Sequence, residues 1–76
     1  MADERLCICN HEGFAHKVRD GLAFRFDLND FEVRPVGCNF AVYLVNRDVA
    51  TSDENVLKME GFARGYYSAL KAHCSS

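Results

Sequence analysis

The sequence predicts an α+β fold: a small antiparallel sheet of three to five strands with one long C-terminal helix packed across one face. Three observations support this fold. Short apolar runs separated by turn-forming residues fill positions 5–45. From Ser52 to Cys74 the apolar residues instead recur every three or four positions, as on one face of a helix. The chain has 76 residues, which suits one domain, and we assign 1–76 to it.

The first strand is predicted at Arg5–Asn10, a short apolar run followed by a turn. The next stretch, Phe14–Arg19, is ambiguous. Phe14 and Val18 stand four apart, as on a helix face, while alternate residues of the same stretch also fit one side of a strand. A strand is favoured, because Asp20-Gly21 is typical of a tight turn between two strands.

The stretch Leu22–Asn29 places its large apolar residues at every second position. Such period-two alternation predicts a strand with one face on the core and the other in water. The residues assigned to the core face are Leu22, Phe24, Phe26 and Leu28.

Two further strands are predicted before the helix. Phe31–Arg34 can form a short strand, and Pro35, which has no backbone N–H, places that strand at an edge of the sheet or ends it. Cys38–Val45 is the most apolar run in the chain and is rich in β-branched and aromatic residues, which predicts the central strand. A meander of antiparallel strands with the helix across one face satisfies these patterns.

The C-terminal helix has clear start signals. Ser52 can cap it, and Asp53 and Glu54 place negative charge in the first turn, where the helix dipole favours it. Acidic and basic residues four apart, which support a helix, are Glu54 with Lys58 and Glu60 with Arg64. The face predicted to meet the core holds Val56, Met59, Ala63, Tyr66 and Leu70.

The opposite face of this helix is lined by small residues. Gly61 and Gly65 both lie on it, and an exposed glycine inside a helix costs about 1 kcal/mol relative to alanine. A groove of small residues allows another backbone to approach closely. We therefore predict a protein-binding face made of Leu57, Lys58, Gly61, Phe62, Arg64, Gly65, Ser68 and Ala72. The alternatives are that the glycines are merely tolerated, or that the helix is sandwiched inside the fold.

A zinc site is the first alternative function. On a strand, Cys7, Cys9 and His11 point the same way, and Cys74 could join them if the chain ends meet. The spacing differs from the Cys-x₂₋₄-Cys pairs of zinc fingers and ribbons. Reduced cysteines that fill small apolar spaces are the preferred interpretation, so no cofactor is expected.

A nucleic-acid-binding domain is the second alternative function. Its candidate residues are Arg25, Arg34, Arg47, Phe40 and Tyr43. Against it stand a formal net charge of −2 and the placement of two of these aromatics in the most apolar strand.

Sequence features also bear on localisation and catalysis. The chain starts with the acidic segment 1–4, where a signal peptide needs a basic one, and no apolar run is long enough for a bilayer, so a cytoplasmic protein is expected. Cys9 or Cys74 could be paired with His11, His16 or His73 as nucleophile and base, but no catalytic motif is present, and an enzyme is not predicted.

These observations favour a small non-enzymatic protein-binding module. Compact, mildly acidic chains without a catalytic motif resemble in size the accessory and inhibitor proteins that phages and plasmids use against a larger target. The expected partner is another protein, either a larger target or a second copy in a homodimer. The expected mechanism is steric: the helix face and the neighbouring strand edge cover a working surface of the partner.

Overall fold

The computed structural model describes residues 3–45 and 52–74, with the side chain of Cys74 outside that description. Its elements in chain order are β1 (Glu4–Cys9), α1 (Glu12–Phe26), β2 (Phe31–Val36), β3 (Asn39–Leu44) and α2 (Asp53–Cys74). The predicted α+β class, antiparallel sheet and packed C-terminal helix are confirmed. An N-terminal helix, α1, is an addition to the expected fold.

The three strands lie in the order β1-β3-β2, with β3 antiparallel to both neighbours. The apolar 38–45 run is therefore the central strand, as predicted, and Pro35 lies in an edge strand, as predicted. The expected meander is wrong, because α1 carries the chain from β1 past β3 to the far edge of the sheet. The result is a split β-α-β unit with β3 inserted between its two strands.

The predicted strands at Phe14–Arg19 and Leu22–Asn29 are also wrong, since both stretches belong mainly to α1. The four-residue spacing of apolar residues, which fits a helix, prevails over the two-residue alternation that fits a strand. Apolar side chains recur every fourth residue, at Phe14, Val18, Leu22 and Phe26. Burying that stripe against both the sheet and α2 outweighs the local alternation. The consequence is clearest at Phe24, which was assigned to the core and is 91% exposed.

The predicted turn at Asp20-Gly21 is likewise a segment of α1, and Gly21 serves the contact between the two helices. A β-carbon at Gly21 would meet the Tyr66 ring, with Cδ2 only 2.7 Å away and Phe62 Cε1 at 3.5 Å. The Phe62 ring in turn packs edge-on against Phe26 at 5.9 Å. The missing side chain thus lets α1 and α2 approach closely.

A bulge in β1 sets which side chains face the core. Arg5 pairs with Tyr43 and Cys7 pairs with Val42, so Leu6 is the extra residue. The bulge explains why Leu6 and Cys7 are both buried although they are consecutive. Ile8, paired with Ala41, lies on the other side and is 40% exposed.

The hairpin between β2 and β3 has a two-residue loop, Gly37-Cys38, with Val36 opposite Asn39. Gly37 has φ of +60°, and Cys38 has a negative φ. Positive φ at the first loop position alone is the pattern of a type II′ turn, which favours glycine there.

The N-terminus of α2 forms as predicted. The Asn55 backbone N–H donates to Ser52 Oγ at 3.2 Å, and Lys58 Nζ lies 3.7 Å from Glu54 Oε1. The core below α2 joins both helices to one face of the sheet, and its largest fully buried side chains are Leu6, Cys9, Val18, Leu22, Val42 and Leu44. No helix in the described part of the chain is long and apolar enough to cross a membrane.

Candidate protein-binding surface

The outward side of α2 is open to solvent where the sequence predicts a binding face. A β-carbon added at Gly61 or Gly65 would meet no atom of the residues 3–45 and 52–74 within 4 Å. Leu57, on the same side, is 66% exposed. The alternative in which this helix is sandwiched inside the fold is therefore wrong, because this face has no neighbour among the described residues.

The other predicted residues divide into two groups. Lys58, Arg64, Ser68 and Ala72 are exposed beside the glycines. Phe62 is half-buried and packs against Phe26 and Tyr66 in the contact between the helices. We define the α2 outer face as the seven solvent-facing residues: Leu57, Lys58, Gly61, Arg64, Gly65, Ser68 and Ala72.

A groove adjoins this face along the free edge of β1. It has a volume of about 390 Å³ and is lined by Arg5, Leu6, Cys7, Ile8, Glu60, Arg64 and Tyr67. We call it the β1–α2 groove. Its two walls are close together, since Cys7 Sγ lies 3.9 Å from the backbone oxygen of Ala63. Arg64 belongs to both surfaces and joins them into one continuous region.

The groove is basic. Among the described residues no carboxylate forms an ion pair with Arg5 or Arg64, not even Glu60 one helical turn before Arg64. Two cationic side chains and one acidic one therefore line the groove. Arg34 gives the contrast, because its guanidinium lies 2.9 Å from Asp3 Oδ2 and 3.2 Å from Glu32 Oε1.

One end of the groove is fixed by Tyr67. Its hydroxyl accepts a hydrogen bond from the Asn10 backbone N–H at 2.9 Å and donates one to Asn10 Oδ1 at 2.8 Å. Its ring packs edge-on against Phe14 at 6.0 Å, and Lys71 Nζ lies 5.1 Å from the ring centre. These contacts tie α2 to the chain that follows β1 at the Tyr67 end of the groove.

The described residues among those considered for nucleic-acid binding do not form one surface. Arg34 stacks over Tyr43 at 4.8 Å on the open face of the sheet, where two carboxylates already neutralise its charge. Phe40 packs against the core instead, and Arg25 lies on α1 over Phe26 at 5.6 Å. Arg47 lies outside the described residues.

The residues considered for zinc are only partly brought together. Cys7 and Cys9 are both buried and free, with their sulfur atoms 3.8 Å apart, whereas His11 is exposed and packs against Phe14. Within residues 3–45 and 52–73, no group of three or more His, Cys, Asp or Glu side chains is placed to hold a metal ion. The Cys74 side chain is not among those described.

The thiols of β1 are held in their neutral form. Burial, together with a smaller contribution from the neighbouring Cys7 thiol, raises the pKa of Cys9 to about 12. Burial also raises the pKa of Cys7, although the hydrogen bond with Cys9 and the charge of Arg64 oppose the shift. A neutral, buried thiol is a poor nucleophile, because the thiolate is the reactive species.

This difference predicts which cysteines react in the folded protein. We expect iodoacetamide at neutral pH to modify the exposed Cys38 at the rate of a free thiol, and Cys7 and Cys9 at least about a hundredfold more slowly, at a rate set by opening of the core. Peptide mapping by mass spectrometry after timed quenching measures each site. The same reaction in urea is the control, in which all these cysteines should react alike. Equal rates in the native protein would contradict the buried placement of β1.

The residues of the α2 outer face were predicted from the sequence as a binding face, whereas most residues that line the groove were not. Arg5, Ile8 and Tyr67 were not assigned to a site, because the sequence does not state which strand lies at the free edge beside α2. Searches with family models, curated proteins and solved structures find nothing that matches this chain.

Proposed function

We propose that this chain is a small non-enzymatic module that binds another protein through the α2 outer face and the adjoining β1–α2 groove. The observation that carries the proposal is the pair of glycines at Gly61 and Gly65, which face open solvent in the middle of a 22-residue helix. No contact among the described residues requires either glycine. A partner whose backbone or side chains pack closely on the helix would require both.

The two exposed glycines are informative because they lower the stability of the helix. Each exposed glycine inside a helix destabilises it by roughly 1 kcal/mol relative to alanine. A domain of this size has a total stability near the lower end of about 5–15 kcal/mol. Two such positions therefore remove a substantial share of that stability. The contrast with Gly21 is informative, because there the absent side chain makes room for Tyr66.

The shape of the surface favours a macromolecular partner over a small molecule. The groove is shallow and open at the strand edge, whereas small ligands are usually enclosed on most sides. Two exposed apolar residues belong to this surface, Leu57 on the α2 outer face and Ile8 in the groove lining. An apolar patch flanked by charged residues is typical of protein interfaces.

The proposed mode of action is steric. The module covers a working surface of a larger partner, as an accessory or inhibitor protein of the phage or plasmid type would. The free thiols of Cys7, Cys9 and Cys38 suit the reducing conditions of the cytoplasm, where we place this action. A homodimer through the same face is the second arrangement that the open glycines support.

Leucine at either glycine of the α2 outer face should separate binding from folding. We expect Gly61→Leu and Gly65→Leu each to raise the stability of the monomer, by up to about 1 kcal/mol, because leucine favours the helix and the space is empty. The same variants should lose the partner. Urea unfolding measures the first effect, and quantitative affinity purification with native mass measurement tests the second.

Gly13→Leu is the matched control, since Gly13 lies on α1 with nothing within 4 Å of a β-carbon. It should retain the partner bound by the unaltered protein. If association survives both Gly61→Leu and Gly65→Leu, the α2 outer face is not the interface. A native mass of two chains that falls to one in these variants would assign the face to a homodimer.

A further inference from the structure

We propose that the β1–α2 groove binds an extended acidic segment of a partner protein, which adds to β1 as a fourth strand of the sheet. This inference rests on the proposed function and names the chemistry of the partner. It requires three things of the structure: a free strand edge, space beside it, and charges that select acidic residues. The described residues provide all three.

The free edge is that of β1. Within the described residues β1 pairs only with β3, so its other side presents backbone N–H and C=O groups without a strand partner. From Cys7 to Cys9 the register with β3 is regular, and the bulge is confined to Leu6. A regular edge segment is a template on which an extended chain can form main-chain hydrogen bonds.

A fourth strand could be added to the sheet beside β1, because α2 lies next to that edge. α1 crosses from β1 over the sheet to β2 and leaves β3 between them. α2 packs on β1, and its Glu60, Arg64 and Tyr67 form the far wall of the groove. A strand in the groove would be covered by α2 as β2 is covered by α1, and it would convert an exposed edge into a paired one.

The charged side chains of the groove favour acidic residues in the partner segment that would pair with β1. Arg5 and Arg64 are both without an ion-pair partner among the described residues, and Glu60 is the one acidic residue in the groove lining. Arg5 belongs to β1 itself, whereas Arg64 projects from α2. Because neighbouring side chains of a strand point to opposite faces, two consecutive acidic residues could reach one arginine each. Charge-assisted bonds from arginine to carboxylate are the strong class of hydrogen bond.

A second copy of this chain fits the groove less well than an acidic segment. Pairing β1 with another β1 would bring in Glu4 and Arg5 together, so the added strand would contribute no net negative charge beside Arg5 and Arg64. The complementarity of the groove therefore points to a different partner.

The test uses the full chain and synthetic peptides of about eight residues, the length of an ordinary strand. The acidic peptide has two consecutive glutamates flanked by valine and threonine. One control peptide has lysines in place of the glutamates. A second keeps the glutamates but has prolines at the flanking positions, which cannot donate main-chain hydrogen bonds. Fluorescence anisotropy measures binding, and amide hydrogen exchange followed by NMR reports on β1.

We expect only the acidic peptide without proline to bind, and its binding should slow exchange of backbone amides within the regular segment from Cys7 to Cys9. Arg5→Glu and Arg64→Glu should each weaken binding by about tenfold or more, because each places a like charge beside the guest. Lys17→Glu, the same change of charge on the exposed side of α1, should leave the affinity unchanged. The effect of the two arginine variants should shrink at high salt.

Several outcomes would overturn the inference. If the proline peptide binds as tightly as the acidic peptide, charge attracts the peptide without its pairing with β1. If the lysine peptide binds as tightly, the peptide pairs with β1 but its charge is not selected. Absence of binding by every peptide would mean that Arg5 only keeps other strands away from the edge. A dimer disrupted by Arg5→Glu would assign the groove to a second copy.

The outcomes for the groove and for the proposed function can be told apart. If the acidic peptide fails while Gly61→Leu and Gly65→Leu still lose the partner, strand addition is wrong and the α2 outer face stands. If the peptide binds while both glycine variants retain the partner, the groove stands and the outer face does not.

Discussion

Truncation of Leu22 to alanine is expected to lower the free energy of unfolding by about 3 kcal/mol, whereas truncation of Phe24 should change it by less than about 0.5 kcal/mol. Leu22 is fully buried between the sheet and the helices, and Phe24 is exposed on the far side of α1. The smaller side chain thus carries the larger effect. Urea denaturation followed by circular dichroism measures both variants under one set of conditions.

The pair of variants also decides between the two structures that the local sequence allows. As a strand, residues 22–29 would place Leu22 and Phe24 on one face, and both truncations would be costly. As a helix, α1 turns them to opposite sides. Comparable losses for Leu22→Ala and Phe24→Ala would therefore contradict α1. With a total stability near 5 kcal/mol, Leu22→Ala should leave a protein that is folded only marginally.

Replacement of Gly21 by leucine is expected to destabilise the protein by about 2 kcal/mol, although leucine is the better helix former. Its β-carbon would overlap the Tyr66 ring, and the rest of the side chain would press on the contact between α1 and α2. The Tyr66 ring cannot turn towards Phe62 freely, since the two ring centres are already 5.7 Å apart. Denaturant unfolding measures the loss, and Gly13→Leu on the same helix is the control, where no loss is expected.

A double-mutant cycle identifies the cause of this loss. Tyr66→Ala removes the ring that Gly21 accommodates, so Gly21→Ala should be harmful in the original protein and neutral or favourable beside Tyr66→Ala. We expect a coupling energy of about 1 kcal/mol between the two sites. Independent effects would mean that Gly21 is not there to accommodate Tyr66.

The elements that sequence alone predicted correctly are those with a single dominant pattern. Cys38–Val45 has no competing helical period, and its β-branched and aromatic residues agree with burial in the centre of the sheet. The C-terminal helix combines a cap at Ser52 with an apolar stripe about four turns long, from Val56 to Leu70, so its start and its buried face could be predicted directly. In both cases local preference and tertiary packing favour the same structure.

α1 was missed because two periods coexist in its sequence. Phe24 and Phe26 sit two apart, which imitates a strand, while Val18, Leu22 and Phe26 sit four apart, which fits a helix. Only the three-dimensional neighbours decide between them: the sheet and α2 together bury the four-residue stripe and leave Phe24 in water. The predicted meander was wrong as a consequence. A helix after β1 carries the chain across the sheet, so the next strand in sequence, β2, is not the neighbour of β1.

The candidate binding surface could be predicted only in part. Residues on one helix face, such as Gly61 and Gly65, follow from helical geometry alone. The groove needs β1 to be at an edge and α2 to lie beside it, and strand order is a property of the whole fold. The sequence therefore assigned Arg5 to no site, and its place in one groove with Arg64 emerged with the sheet order β1-β3-β2.

The two edges of the sheet differ in a way that limits assembly. A filament grows only if each unit offers two complementary adhesive ends, so that every added copy exposes a new one. Here the free edge of β1 is regular from Cys7 to Cys9, while β2 carries Pro35, which lacks an N–H, and Arg34 already bonded to Asp3 and Glu32. If β1 takes up a strand as we propose, the edge that is left at β2 is a poor template for a further strand. The proposed strand addition would therefore end after one step instead of continuing into a filament.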